Sequence, residues 1–187
     1  MALPAPHRFT IEEYHQMGRA GVLDPDARTE LIEGEVLEMA PIGSRHAGCV
    51  NRLNQFFSIG VGDRALVGVQ NPMALWPFSE PQPDLTVMKP RRDYYTIGHP
   101  CPEDLLLVVE VADTTLPFDR NRKLPLYARH EVAEVWLVDI PGRAVEVHTE
   151  PGPDGYATVR RLTGDDTVAP GALPDLVLAV GSLFPPA

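Results

Sequence analysis

This sequence has few cysteines and no long apolar run. Its two cysteines, Cys49 and Cys101, lie far apart without a CxxC spacing, which argues against a zinc knuckle or a disulfide framework. No stretch approaches the ~20 apolar residues of a membrane span, and the first residues lack the apolar core of a signal peptide. We therefore expect a soluble protein of the reducing cytoplasm that does not enter a membrane.

Basic residues are also scarce relative to acidic ones. Sixteen Lys and Arg stand against 26 Asp and Glu, which gives a formal net charge of −10. This charge disfavours a protein that coats nucleic acid through its overall field, so any contact with DNA has to be local. No helix-turn-helix or zinc-finger pattern is present, and the sequence therefore does not indicate a DNA target.

The length and composition are those of one domain. With 187 residues, of which 44% are hydrophobic, the chain can bury one sizeable core but not two ordinary ones. The 20 prolines and 15 glycines are dispersed between apolar runs, as is typical of loops. We predict a single domain over residues 1–187.

Hydrophobic periodicity predicts an α/β (α+β) fold, a mixed β-sheet flanked by helices. Helices are predicted after Thr10, over 44–59, and from about Asn121, where Pro125 delays the first turn, to 130. Strands are predicted at 65–70, 84–88, 105–111, 134–139 and 143–149, with an early hairpin around Gly34. The core order is helix, three strands, helix and strand, with hairpins added at both ends.

Asp84, Glu110 and Lys123 form the candidate catalytic group. Asp84 begins one predicted strand, Glu110 lies near the end of another, and Lys123 follows on the next helix. Two carboxylates on adjacent strands, with the main-chain carbonyl of Val111, supply the hard oxygen ligands that Mg²⁺ prefers. A lysine beside them can orient or deprotonate an attacking water and offset phosphate charge.

Glu110 interrupts the aliphatic run LLLVVEV. An ionised carboxylate inside such a strand costs several kcal/mol unless a metal or another cation meets it. The alternative is that Glu110 lies at the exposed end of the strand and forms a plain salt bridge with Lys123 or Arg122.

Three segments together resemble the Uma2 family of bacterial proteins, whose members are labelled restriction endonucleases. They are RTELIEGEVLEMAPIGSRH at 28–46, EPQPDL at 80–85 and LLLVVEVADTTLPFDRNRKLPLYARHEVAEVWLVD at 105–139. The resemblance extends over about residues 8–184, and three segments in the same order are far more specific than any one alone.

The Uma2 family is similar to the PD-(D/E)XK nuclease superfamily. The resemblance implies the core order α-β-β-β-α-β, an endonuclease that cleaves DNA with Mg²⁺ or Mn²⁺, and metal binding at Asp84 and Glu110. In the superfamily a lysine stands two residues after the acidic ligand, but Ala112 occupies that position here. By the resemblance, Lys123 takes over its role.

The matching ELIEGE segment of the family suggests Glu30 as a further site residue. The alternative is a solvated hairpin face, which is our interpretation of Glu35 and Glu38. His46 either favours phosphate at a helix N-terminus or serves as a surface cap. Gln82 either hydrogen-bonds the scissile phosphate or shapes a turn, of which we expect the turn. Tyr127 is expected to pack one helical turn after Lys123 and to position it.

Several arginines lie close in sequence to the candidate site residues. Arg91, Arg92, Arg120 and Arg122 are candidates for phosphate contacts bordering the site. Ala112 and the net charge leave open a nuclease-fold binding module without turnover. A second alternative is a hydrolase of another phosphate ester, because a site of carboxylates, metal and lysine does not by itself select DNA. We also expect a homodimer, in which Leu176–Phe184 belongs either to the interface or to the core.

Overall fold

A computed structural model describes residues 5–24 and 26–184 of the chain. The first elements are α1 (Ile11–Arg19), β1 (Thr29–Ile32), β2 (Glu35–Glu38), α2 (Ser44–Val61), β3 (Leu66–Val69), β4 (Leu85–Met88) and β5 (Leu105–Ala112). A continuous helical segment follows, made of α3 (Leu116–Phe118), a π-helical turn (Asp119–Lys123) and α4 (Leu124–Arg129). The remaining strands are β6 (Glu134–Asp139), β7 (Ala144–Gly152), β8 (Gly155–Thr163), β9 (Thr167–Val168) and β10 (Leu178–Ala179).

Six strands form a mixed sheet in the order β3-β4-β5-β6-β7-β8. All neighbours are antiparallel except β5 and β6, and a parallel pair needs a long crossover, which the helical segment supplies. The predicted fold class and core order are confirmed: α2, β3, β4, β5, α4 and β6 follow one another. None of the described helices is both long and apolar enough to cross a membrane.

The sheet has a hydrophobic core on each face. One core includes α2 and the buried residues Leu53, Phe57, Leu85, Val109 and Trp136. The other includes α4 and the buried residues Leu124, Tyr127, Val108, Ala112 and Leu137. Because side chains alternate along a strand, Glu110 lies on the α4 face with Val108 and Ala112.

The segment Leu176–Phe184 belongs to the core on the α2 face. Leu178, Val180 and Leu183 are buried there, whereas Val177 is 56% exposed. Of the two interpretations of this aliphatic segment, core packing is therefore the one that the structure supports.

The prediction that the second core helix begins near Asn121 was wrong, because the helical segment begins at Leu116. The N–H of Leu124 donates to the carbonyl of Asp119, five residues earlier, which is the π-helical register. This register shift comes directly before Pro125. Proline donates no hydrogen bond, and the shift allows the helix to continue through it.

Gly34 closes the β1–β2 hairpin with φ +84°. A Cβ at this position would lie 2.6 Å from the Cβ and 2.8 Å from the Cα of Arg8. We expect Gly34→Ala to lower the free energy of unfolding by more than about 1 kcal/mol, measured by urea denaturation, through strain and overlap. Gly98→Ala is the matched control, since a Cβ there meets nothing within 4 Å. Equal stability of the two variants would contradict this account.

Candidate active site

Asp84 lies immediately before β4, and three groups hold its carboxylate. The backbone N–H of Val111 donates to Oδ2 at 2.9 Å, and the amide of Gln70 donates to Oδ1 at 3.3 Å. Nε2 of His46 lies 3.0 Å from Oδ2. Asp84 is buried, so its orientation is fixed by β5, the segment after β3 and the start of α2.

Glu110 is 3% exposed, and the charge of Asp84 is one of those that raise its pKa, so the two carboxylates lie near each other. The register pairs Leu85 with Val109, so the next position along the ladder sets Asp84 opposite Glu110. Directly opposite residues of antiparallel strands point to the same face and are nearest neighbours. The structure therefore brings the two predicted carboxylates together.

Lys123 reaches both Glu110 and Glu30. Its Nζ lies 3.3 Å from Oε1 of Glu110 and 3.1 Å from Oε2 of Glu30, and all three side chains are buried. The hydroxyl of Tyr127 donates to the same Oε1 of Glu110 at 2.5 Å. The alternative placed Glu110 at the exposed end of the strand in a salt bridge with Lys123 or Arg122. The salt bridge with Lys123 is present, but the exposed position was wrong, because Glu110 is 3% exposed.

Glu30 lies inside the structure rather than on a solvated hairpin face. The backbone N–H of Gln82 donates to Oε2 of Glu30 at 3.2 Å, and the side-chain amide of Gln82 donates to the carbonyl of Thr29 at 2.8 Å. Gln82 therefore fastens the segment before Asp84 onto β1, in agreement with its predicted structural role. Glu35 and Glu38 are exposed, as expected.

The buried charges are predominantly negative. Burial raises the pKa of Glu110 to about 8, Lys123 opposes this increase, and Asp119 and Asp84 add to it. Burial disfavours the Lys123 ammonium, yet the carboxylates of Glu110, Glu30 and Asp119 raise its pKa above the ordinary value. The arrangement thus favours additional positive charge.

Asp119 was missed by the sequence analysis. It is 4% exposed, it accepts a hydrogen bond of 2.6 Å from the hydroxyl of Thr115, and burial raises its pKa, with Asp84 and Glu30 contributing. The usable signal was its position four residues before Lys123, a spacing that places two side chains on one face of a helix.

His46 does not cap α2, whose N-cap is Gly43. Its hydrogen bond to Asp84 raises its pKa, against the effect of burial. Nδ1 of His46 is buried, and no residue of the described part of the chain forms a hydrogen bond with it. His46 therefore orients Asp84 and leaves one polar atom facing the interior.

Three of the four arginines that were predicted to contact phosphate form ion pairs with acidic side chains of the chain itself. Arg120 pairs with Glu146 at 2.7 Å, and Arg122 pairs with Glu35 at 3.0 Å. Asp84 precedes β4, whereas Arg91 and Arg92 follow its C-terminal end. The expectation that these two arginines border the site was therefore wrong. Arg91 instead pairs with Asp93 at 2.6 Å.

The donor set at this site fits a divalent cation. Asp84 and Glu110 offer carboxylate oxygens from adjacent strands, and Glu30 and Asp119 add two further buried carboxyl groups around Lys123. Mg²⁺ is commonly bound by one or two carboxylates and completes its coordination with water and phosphate oxygens. The arrangement suits metal-assisted attack of water on a phosphate ester.

A family profile described as "Uma2: Putative restriction endonuclease" matches residues 11–181 of the chain. A solved structure titled as "a putative nuclease belonging to DUF820 from Anabaena variabilis ATCC 29413" is similar to this chain with a TM-score of 0.72. The two share 16% sequence identity, and the similarity covers 94% of this chain and 97% of that chain. At this identity the similarity shows the fold alone. Among curated proteins, none matches this chain significantly.

Proposed function

This chain belongs to the Uma2 family, and from this membership and its site we propose that it is an endonuclease that hydrolyses DNA phosphodiester bonds with Mg²⁺ or Mn²⁺. The observation that carries the proposal is the pairing of two buried carboxylates, Asp84 and Glu110, on one face of adjacent strands with the Lys123 ammonium beside them. Hydrolysis of a phosphodiester requires a metal site, a nucleophilic water and compensation of the phosphate charge. These groups can supply all three.

In this proposal Asp84, Glu110 and the carbonyl of Val111 hold the cation. When bound, a divalent ion lowers the pKa of a coordinated water and offsets the charge of the phosphate. The protein side chains around it are held in place before any substrate arrives. Tyr127 fixes one oxygen of Glu110, and His46 fixes one oxygen of Asp84, as outer partners of metal ligands commonly do.

Lys123 supplies the ammonium that superfamily members carry two residues after the acidic ligand. Ala112 occupies that position and is fully buried on the α4 face. The ammonium group is carried instead by Lys123 of the π-helical turn, whose Nζ lies 3.1 Å from a carboxylate oxygen of Glu30. We assign Lys123 to orienting water and offsetting phosphate charge, and Glu30 to positioning Lys123.

The direct test is nicking of supercoiled plasmid by the purified chain. We expect nicked and linear products with Mg²⁺ or Mn²⁺ and none with EDTA, because the carboxylate pair needs a cation to act. Bis(p-nitrophenyl) phosphate, a simple phosphodiester, is assayed in parallel.

Two outcomes would refute the proposal in different ways. Hydrolysis of the small ester without nicking would favour a hydrolase of another phosphate ester. Cation binding by calorimetry, with neither substrate cleaved, would favour the binding module without turnover that Ala112 and the net charge of −10 leave open.

A further inference from the structure

A second cluster of ligating side chains lies on other elements. His15 of α1, Glu80 of the segment before β4 and His99 of the loop before β5 place one ligand atom each within 4.8 Å of one another. Nε2 of His15 lies 2.9 Å from both carboxylate oxygens of Glu80. We propose that these three residues bind a transition-metal ion of the Zn²⁺ class.

The composition of the cluster selects the ion. Two imidazoles and one carboxylate are the donors of His₂Glu zinc sites, in which a water occupies the fourth position. Mg²⁺ prefers oxygen ligands alone, so this cluster differs in chemistry from the pair of Asp84 and Glu110. Ligand atoms around a tetrahedral zinc lie about 3.4 Å apart at bond lengths of ~2.0–2.1 Å, and the three ligand atoms here lie within 4.8 Å of one another.

The carboxylate of the cluster is buried, whereas its two imidazoles are accessible to solvent. Glu80 is 4% exposed, and burying an ionised carboxylate is costly unless a cation and hydrogen bonds meet it. His99 is exposed, and the side chain of His15 is 39% exposed. The cation therefore has a path from solvent to the buried carboxylate, past the two imidazoles.

Backbone hydrogen bonds hold the three segments in place. Glu80 exchanges two of them with Leu31 of β1, at 2.7 and 3.3 Å. The N–H of Ile11, at the start of the helix that carries His15, donates to Pro77 at 2.9 Å.

The loop that carries His99 is fastened to the same segment. The carbonyl of Pro100 accepts a hydrogen bond of 2.9 Å from the N–H of Ala74. The segments that carry His15 and His99 are thus each hydrogen-bonded to residues 74–80, the segment that contains Glu80. A bound ion would therefore need to order little of the backbone. A bound ion would link α1 and this loop to the segment that leads into Asp84.

The test uses the tag-free chain carrying Asp84→Ala, which weakens cation binding at the other site. We expect isothermal titration with Zn²⁺ to give about one equivalent bound, and His99→Ala in this background to weaken binding by more than about tenfold, because loss of outer partners alone costs 10–100-fold. His99 is exposed, so its replacement is compatible with folding. His7→Ala is the matched control, a histidine outside the cluster whose side chain is 63% exposed.

Imidazole ¹⁵N NMR provides a second measurement that a loss of folding does not imitate. We expect Zn²⁺ to shift the ring nitrogens of His15 and His99 but not those of His7. Equal zinc affinity of the His99→Ala and His7→Ala proteins would overturn the proposal. So would loss of the zinc site on introducing Asp84→Ala, since the ion would then belong to the carboxylate centre.

Discussion

Asp84→Asn is expected to reduce the rate of Mg²⁺-dependent plasmid nicking by more than about 100-fold, since loss of outer partners of metal ligands alone costs 10–100-fold. The amide keeps the size of the carboxylate but not its charge, and it is a poor ligand for a hard cation. The reduction is measured as the initial rate of loss of supercoiled plasmid at saturating Mg²⁺.

Asp93→Asn is the matched control for this substitution. Asp93 is also an aspartate in an ion pair, with Arg91 at 2.6 Å, but it follows the other end of β4. We expect nicking by this variant to stay near that of the unmodified chain. If Asp84→Asn retains more than about a tenth of the activity with an unchanged unfolding midpoint, Asp84 is not part of the catalytic site. Loss of a metal ligand is expected to reduce the activity by more than about tenfold.

The sequence was most informative where its local pattern was violated. An acidic residue inside the aliphatic run of β5 pointed to a buried charge that needs a cation, and the structure shows Glu110 buried with Lys123 at 3.3 Å. The sheet and its core order followed from alternating and continuous apolar runs, which depend on nearest neighbours along the chain. The pairing of Asp84 with Glu110 was predicted from their places on neighbouring strands, and the Uma2 resemblance implied metal binding at both.

Features that depend on tertiary contacts were not predictable in this way. Glu30, Glu35 and Glu38 look alike in an alternating hairpin, but only Glu30 is buried, because its strand packs beneath Gln82 and Lys123. The π-helical turn was missed because the register shift before Pro125 is not part of the apolar periodicity. Asp119 lies in the same turn, and its spacing of four residues before Lys123 was the one signal of its place.

The partner of Lys123 in the absence of metal follows from the pKa of Glu110. Burial raises this pKa to about 8, although Lys123 and the hydrogen bond from Tyr127 oppose the increase. Glu110 therefore already carries a proton at neutral pH beside the ammonium, and it stays neutral when the ammonium is removed. The charge left buried without a cation is then Glu30, which is 4% exposed.

Lys123→Met is therefore expected to lower the free energy of unfolding by about 3–5 kcal/mol in EDTA, the usual cost of breaking a buried ion pair by removing one partner. The double variant Glu30→Gln/Lys123→Met should recover most of this loss, because glutamine removes the charge and keeps a similar shape. Arg122→Met, on the same turn but in an exposed pair with Glu35, should cost no more than about 1 kcal/mol. Urea denaturation measures all three. If Glu30→Gln brings no recovery, Lys123 does not serve to neutralise Glu30, and its lost stability comes from packing alone.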